Sequence, residues 1–239
     1  MTTHDDQKRV LLIGGGSGIG HAVASALLDR GDQPVIGARD PERTAAILPA
    51  PLRDVPIVHA DLADEATIEA LTSAGPFDAV VSLAAASANG PAASFDRATI
   101  HDAFDAKVVG PMLLAKHLTG SMRPGGVFVF SSGVAAWKPA PGLSVMATVN
   151  GAVSFMAEAL AVELAPVRAV AVSPGIVDSG LWDSMGEDGK RDFFAATAAA
   201  NPARRVGTPG DVVAAVLLAV DNTFVTGTTL HVDGGGRLG

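Results

Sequence analysis

Cysteine and tyrosine are both missing from this 239-residue chain. Without cysteine there is no disulfide, no thiolate nucleophile and no sulfur-ligated metal; without tyrosine, no phenol can carry a proton. Positive charge is scarce as well: 17 basic against 25 acidic residues leave a formal charge of -8, which argues against nucleic acid or an anionic membrane surface as a partner. Any phosphate must therefore be held locally, by geometry. Long apolar runs are absent; the longest, Val212 to Val220, falls far short of a membrane span. The polar start from Met1 to Arg9 has no signal-peptide pattern, so a cytoplasmic protein is expected. No His/Asp/Glu spacing suggests a metal site.

What is present is a large apolar fraction, 48%, with mean hydropathy +0.34. At this length that suits one domain, residues 1–239, around a single large core. Short β-branched runs alternate with helix-length segments. Strands are expected at Val10–Ile13, Gln33–Ala38, Val55–His59, Phe77–Leu83, Gly126–Ser131, Arg168–Ser173 and Thr228–Val232. Helices are expected at about Gly18–Asp29, after Arg39-Asp40-Pro41-Glu42, at Asp64–Ser73, Phe95–Met122, Ser144–Ala165 and Val212–Val220. The last of these is announced by Thr208-Pro209-Gly210-Asp211, an N-cap, a first-turn proline and a capping-box acid. Strands without clear polar alternation, spaced by helices, predict an α/β fold: a doubly wound (Rossmann) parallel sheet of about seven strands, covered on both faces. Ile176 to Arg205 looks inserted, carries Trp182, Phe193 and Phe194, and falls where ligands bind in such sheets. It reads either as a substrate lid or as a helical pair that packs in an oligomer.

The chain is organised around Val10-Leu-Leu-Ile-Gly-Gly-Gly-Ser-Gly-Ile-Gly20. An apolar strand runs into glycines and out into a helical pattern. Gly14 permits a tight exit from the strand, Gly18 lets backbone N–H groups approach a pyrophosphate, and Gly20 lets the helix lie against the sheet. Gly16, Ser17 and Ile19 complete the turn.

With further motifs in order, the sequence resembles the short-chain dehydrogenase/reductase family along nearly its whole length. The glycine turn is similar to that family's Thr-Gly-x-x-x-Gly-x-Gly, with Ile13 for threonine. Asp61-Leu62 resembles the pair that holds the adenine. Ser131-Ser132 resembles the Ser-Ser ending the fifth strand. Pro174-Gly175-Ile176-Val177-Asp178-Ser179 resembles the segment that meets the nicotinamide, and Val232-Asp233-Gly234-Gly235 the closing strand. The resemblance implies a nicotinamide cofactor, a small-molecule carbonyl or alcohol substrate, and a homodimer or homotetramer through the two long helices. Arg39 ends the second strand where an NAD-binding chain needs a carboxylate; a guanidinium there suits a 2′-phosphate, so NADP(H) is expected over NAD(H). The other reading of Arg39 is adenine stacking or helix capping, with Asp40 beside it.

The resemblance breaks at the proton-transfer residues. Where the family has Tyr-x-x-x-Lys this chain has Met146 and Asn150; where it has a helix-bending asparagine, judged from Ala106-Lys107-Val108-Val109-Gly110, it has Lys107. The Asn-Asn-Ala-Gly after the fourth strand becomes Ser82-Leu83-Ala84-Ala85, with Ala84 and Ala85 at the cofactor. Only Ser132 keeps its type. Lysine and asparagine are thus exchanged between neighbouring helices. Lys107 either reaches the same volume from the other side, with a depressed pKa suited to a relay, or is solvated and paired with Asp102 or Asp105. Asn150 would keep a hydrogen bond to the ribose, and Ser132 either orients a carbonyl or caps the strand. His101 and His117 read as surface or interface histidines, Asp178 and Asp183 as solvated lid acids, and Asn89 as a turn residue or a ribose contact. Three functions follow: an NADP(H)-dependent oxidoreductase, a nucleotide-binding sensor or partner subunit without turnover, and a lyase or isomerase on the same fold.

Overall fold

A computed structural model describes residues 7–239, so the polar start at residues 1–6 lies outside the described residues. Its frame is one parallel sheet of seven strands in the order β3-β2-β1-β4-β5-β6-β7. The strands are β1 Arg9–Ile13, β2 Gln33–Ala38, β3 Ile57–His59, β4 Phe77–Ser82, β5 Met122–Ser131, β6 Arg168–Pro174 and β7 Thr228–Val232. The helices are α1 Gly18–Asp29, α2 Pro41–Ile47, α3 Glu65–Ala70, α4 Arg97–Phe104, α5 Gly110–Leu118, α6 Ser144–Glu163, α7 Gly186–Ala200 and α8 Pro209–Asp221.

Both faces of the sheet are apolar, and the two-residue period of the strands sorts the side chains between them. Val10, Leu12, Ile36, Val81, Val127, Val129 and Val172 face α1 and α8, meeting Val23, Leu27, Val212 and Val216. Leu11, Val35, Val80, Phe128, Phe130 and Ala171 face α3, α5 and α6, meeting Ile68, Leu114, Leu118, Val153 and Met156. Helix α6 is long and apolar enough to cross a membrane by length and composition alone, and here it packs on the sheet through Val153, Met156 and Ala157. The cap expected before α8 forms: the Asp211 carboxylate accepts from the Thr208 N–H at 2.7 Å and from its hydroxyl at 2.9 Å.

Two expected boundaries are corrected. The single helix expected over Phe95–Met122 is divided, because Pro111 has no N–H to return to the Lys107 carbonyl. Between α4 and α5 the chain makes a π turn, Asp105–Val109, and the Gly110 N–H reaches back to the Asp105 carbonyl. Strand β5 begins at Met122, earlier than expected, since Met122 already pairs with Phe77 of β4 and the stretch Arg123-Pro-Gly-Gly is taken up as an irregularity before pairing resumes at Val127 with Ala79.

The strand order reverses beside β1, which pairs with β2 on one side and β4 on the other. At such a switch point the connections leave in opposite directions and open a crevice at the carboxyl ends of the strands.

Candidate active site

The crevice is a cleft of about 960 Å³, large enough for a cofactor-sized ligand. Its floor is the glycine turn between β1 and α1. Gly14 sits at φ +84° and Gly18 at φ +52°, conformations that favour glycine. A Cβ on Gly20 would lie 2.0 Å from the Gly14 carbonyl oxygen, so α1 starts as close to the strand as a backbone can. Ser17 caps α1 without a side-chain hydrogen bond. The first-turn N–H groups, which have no intrahelical acceptors, therefore open toward the cleft with the positive end of the helix dipole. Uncapped donors, positive-φ glycines and the cavity together fit the diphosphate of a dinucleotide.

Gly14, Gly16, Ser17, Gly18, Ile19, Gly20, Arg39, Asp61, Leu62, Ala84, Ala85, Pro174 and Ser179 all line this cleft. Asp61 is held by a turn in which its carboxylate accepts from the Ala63 N–H at 3.0 Å. Arg39 is exposed and makes no ion pair among the described residues. The neighbouring carboxylate is occupied otherwise: Asp40 caps α2, accepting from the Arg43 N–H at 2.9 Å. Arg43 and Ile47 also line the cleft, and sequence reasoning missed both. The signal was available, since Arg43 and Ile47 stand four residues apart on one face of α2, toward the cleft.

Three expected cofactor residues do not form the cleft wall. Gly175 is packed on the closing strand, where a Cβ would lie 2.8 Å from Cα of Asp233. Val177 is 5% exposed and bridges to Gly207. Asn150 is 4% exposed and held within α6, its side-chain oxygen buried without a partner.

At the inner end of the cleft the expected catalytic residues are close together but differently employed. Ser131 lines the cleft. Ser132 faces the other way, as the strand period requires after Phe128 and Phe130. Its hydroxyl donates to the Asn150 carbonyl at 2.7 Å and lies 3.2 Å from the Ser154 hydroxyl; the geometry therefore corrects the picture of Ser132 aiming its hydroxyl at a substrate. Met146 lies 3.5 Å from the Ala88 N–H, through its sulfur. Lys107, on the π turn, is 5% exposed, and its Nζ donates to the Ser132 carbonyl at 3.2 Å. It does not pair with Asp102 or Asp105, which line the cleft beside it, nor with any carboxylate among the described residues. Burial pulls its pKa from 10.5 to about 8, because an ammonium without solvent or a counter-ion is disfavoured.

His101 and Asn89 are exposed, and His117 joins Lys116 on Glu65 at the surface. In the segment expected as a lid, α7 is preceded by Trp182, whose indole N–H donates to the Val177 carbonyl at 3.0 Å. Trp182 packs on Phe193 with ring centroids 4.8 Å apart, and Phe193 on Phe194 at 5.9 Å, both pairs tilted. Lys190 bridges Asp178 and Asp183 at 2.7 and 2.6 Å, while Ser179, Gly180 and Leu181 reach the cleft.

Comparison with known proteins places these features in context. A family model described as "Enoyl-(Acyl carrier protein) reductase" matches residues 14–236. The short-chain dehydrogenase/reductase malC of Malbranchea aurantiaca is 29% identical over 95% of this chain and 94% of its own length. L-fucose dehydrogenase of Mus musculus is 32% identical over 97% of this chain and 89% of its own length. Among solved structures, a small-chain dehydrogenase in complex with NADPH superposes with a TM-score of 0.83 at 28% identity, covering 98% of this chain and all of the other.

Proposed function

The chain belongs to the short-chain dehydrogenase/reductase family, and on that premise we propose that it is an NADP(H)-dependent oxidoreductase acting on a small or medium, fairly apolar carbonyl or alcohol. The observation that carries this reading is one continuous cleft that joins uncapped helix donors at Gly18–Gly20 to two guanidiniums, Arg39 and Arg43, that make no ion pair among the described residues. The amides would take the diphosphate and the guanidiniums the 2′-phosphate; Asp61 and Leu62 would flank the adenine. When bound, the nicotinamide supplies or accepts the hydride. The protein's part is to hold reactants in line, which alone supplies much of the rate. Ser179, Gly180 and Leu181 would close over the ligand, with residues 176–205 acting as a lid.

A second reading, a nucleotide-binding sensor or partner subunit without turnover, is favoured by Met146, whose thioether has no proton to give. Titration with NADPH and NADH, followed by turnover against a panel of ketones and aldehydes, separates the two. The oxidoreductase reading expects tighter binding of NADPH than NADH and oxidation of NADPH by at least one carbonyl. In an Arg39→Ala, Arg43→Ala double variant, NADPH should weaken by roughly 10- to 100-fold, as lost charge-assisted hydrogen bonds require, with NADH unchanged. Tight NADPH binding with no turnover on any carbonyl would favour the sensor; equal loss for both dinucleotides would refute the role of the two arginines.

A further inference from the structure

A buried ammonium with no counter-ion is costly, and one beside a ligand cleft calls for a reason. Resting on the oxidoreductase reading above, we propose that Lys107 is the proton-transferring catalytic residue, entering from the π turn rather than from α6, and that the substrate it serves is a neutral carbonyl compound.

The first support is position. Asp105 and Ala106, which precede Lys107, line the cleft, as does Ser131; the Nζ is fastened to the carbonyl of the next residue, Ser132. The ammonium is therefore held within one residue of the cleft wall from both sides. That bond uses one of its three N–H donors, leaving two for a ligand. Elimination is the second support. At the positions matching the family's proton-transfer residues, the Met146 sulfur has no proton, the Ser132 hydroxyl is bonded to the Asn150 carbonyl and the amide of Asn150 does not ionise, and the chain has no tyrosine. The third is charge. A fixed cation opposes a cationic substrate, such as an iminium, and favours an oxygen that becomes negative.

The step balances. Hydride from the reduced dinucleotide, which is oxidised by two electrons, forms a C–H bond at the carbonyl carbon. The C=O π pair moves onto oxygen, the oxygen takes a proton from Nζ, and the neutral amine is recharged from water. Few other groups bear on the titration. Asp102 and Asp105 belong to the same helical segment, and Asp61 lies across the cleft. β5 presents the neutral Ser132. From α6, which packs across the π turn, come the uncharged Met146, Asn150 and Ser154, and its carboxylate Glu158 points to solvent. Fixed burial, rather than a neighbouring charge, thus sets a working range near pH 8. Below it the protonated form suits reduction; above it the neutral amine suits alcohol oxidation.

The chain has five lysines, so lysine labelled with carbon-13 at Cε gives a resolvable spectrum, assigned by the signal missing in Lys107→Arg. The proposal expects the Lys107 signal to titrate near pH 8 and to move when NADP+ is added. Carbonyl reduction by the wild type should fall about tenfold per pH unit above that point, and the break should vanish in Lys107→Arg. Lys107→Met should still quench or shift NADPH fluorescence with affinity within about threefold of wild type, yet turn over 10²- to 10⁴-fold more slowly, the usual worth of a positioned acid. Full activity with an unchanged pH profile in Lys107→Met overturns the proposal, as does a Lys107 signal that titrates at the unperturbed value of 10.5 and ignores NADP+. If wild type itself gives no NADPH response, the cofactor reading fails first, and the proposal with it.

Discussion

Replacing Lys107 with methionine should stabilise the fold while it disables the site. The two side chains have similar length and volume, so the change removes charge and little packing. The fall of the Lys107 pKa from 10.5 to about 8 corresponds to about 3 kcal/mol of cost for holding the ammonium buried, since each pH unit is worth about 1.36 kcal/mol. The sign follows from proton counting. Between pH 8 and 10.5 the unfolded chain keeps this proton and the native state has released it, so wild-type stability gains from this residue as pH rises; below pH 8 the full cost is carried. Lys107→Met should therefore exceed wild type by up to about 3 kcal/mol at pH 7, near 6–12 °C in Tm for a chain this size. The gap should narrow toward zero by about pH 10.5. Urea denaturation of both proteins at pH 7, 8, 9 and 10 measures it, and taking the difference cancels groups common to both. A variant less stable than wild type at pH 7, or a gap independent of pH, would refute the claim that Lys107 is a buried, unpaired cation.

Three further outcomes follow from other parts of the molecule. Gly20→Ala places a methyl 2.0 Å from the Gly14 oxygen, so α1 must move; we expect about 1–3 kcal/mol of lost stability and at least tenfold weaker NADPH binding, read by denaturation and fluorescence titration. Arg168 is 5% exposed and donates to the carbonyls of Ala219, Val220, Asn222 and Val225, neutralising the C-terminal end of α8. Arg168→Met strands those acceptors and should lower Tm by roughly 6–12 °C, for a loss on the order of 3 kcal/mol, without altering the ratio of NADPH to NADH affinity. The Asp211 carboxyl is held well below its usual range, first by Arg205 and then by the Thr208 N–H. Its contribution is present above the ordinary aspartate pKa and lost as acid protonates it. Asp211→Asn should cost about 1 kcal/mol at pH 7 and show a smaller difference from wild type below pH 3, by thermal melts across pH.

The strands and the glycine turn at the floor of the cleft were readable because local chemistry dictates them. β-branched runs can be buried on both sides only in a covered parallel sheet, and Thr208-Pro209-Gly210-Asp211 has few roles other than opening a helix. The reaction centre was less legible, because its geometry depends on which way side chains turn. Sequence places Ser131 and Ser132 together, but the pleat sends one to the cleft and the other into α6. That outcome follows the alternation already visible in Phe128, Phe130 and Ser132. Sequence alone leaves Lys107 between the site and Asp102 and Asp105; the π turn Asp105–Val109 is what buries it. Arg43 was less legible because it lies beyond the end of β2, in the first turn of α2.

The most direct test of the central claim is an amide NMR titration of the wild-type chain with NADPH. The account predicts that the largest shifts fall on the N–H groups of Gly16 through Gly20, with saturation at a single site and Arg39 and Arg43 responding in step. Binding that leaves those amides unmoved, or no binding at all by a folded protein, would contradict it.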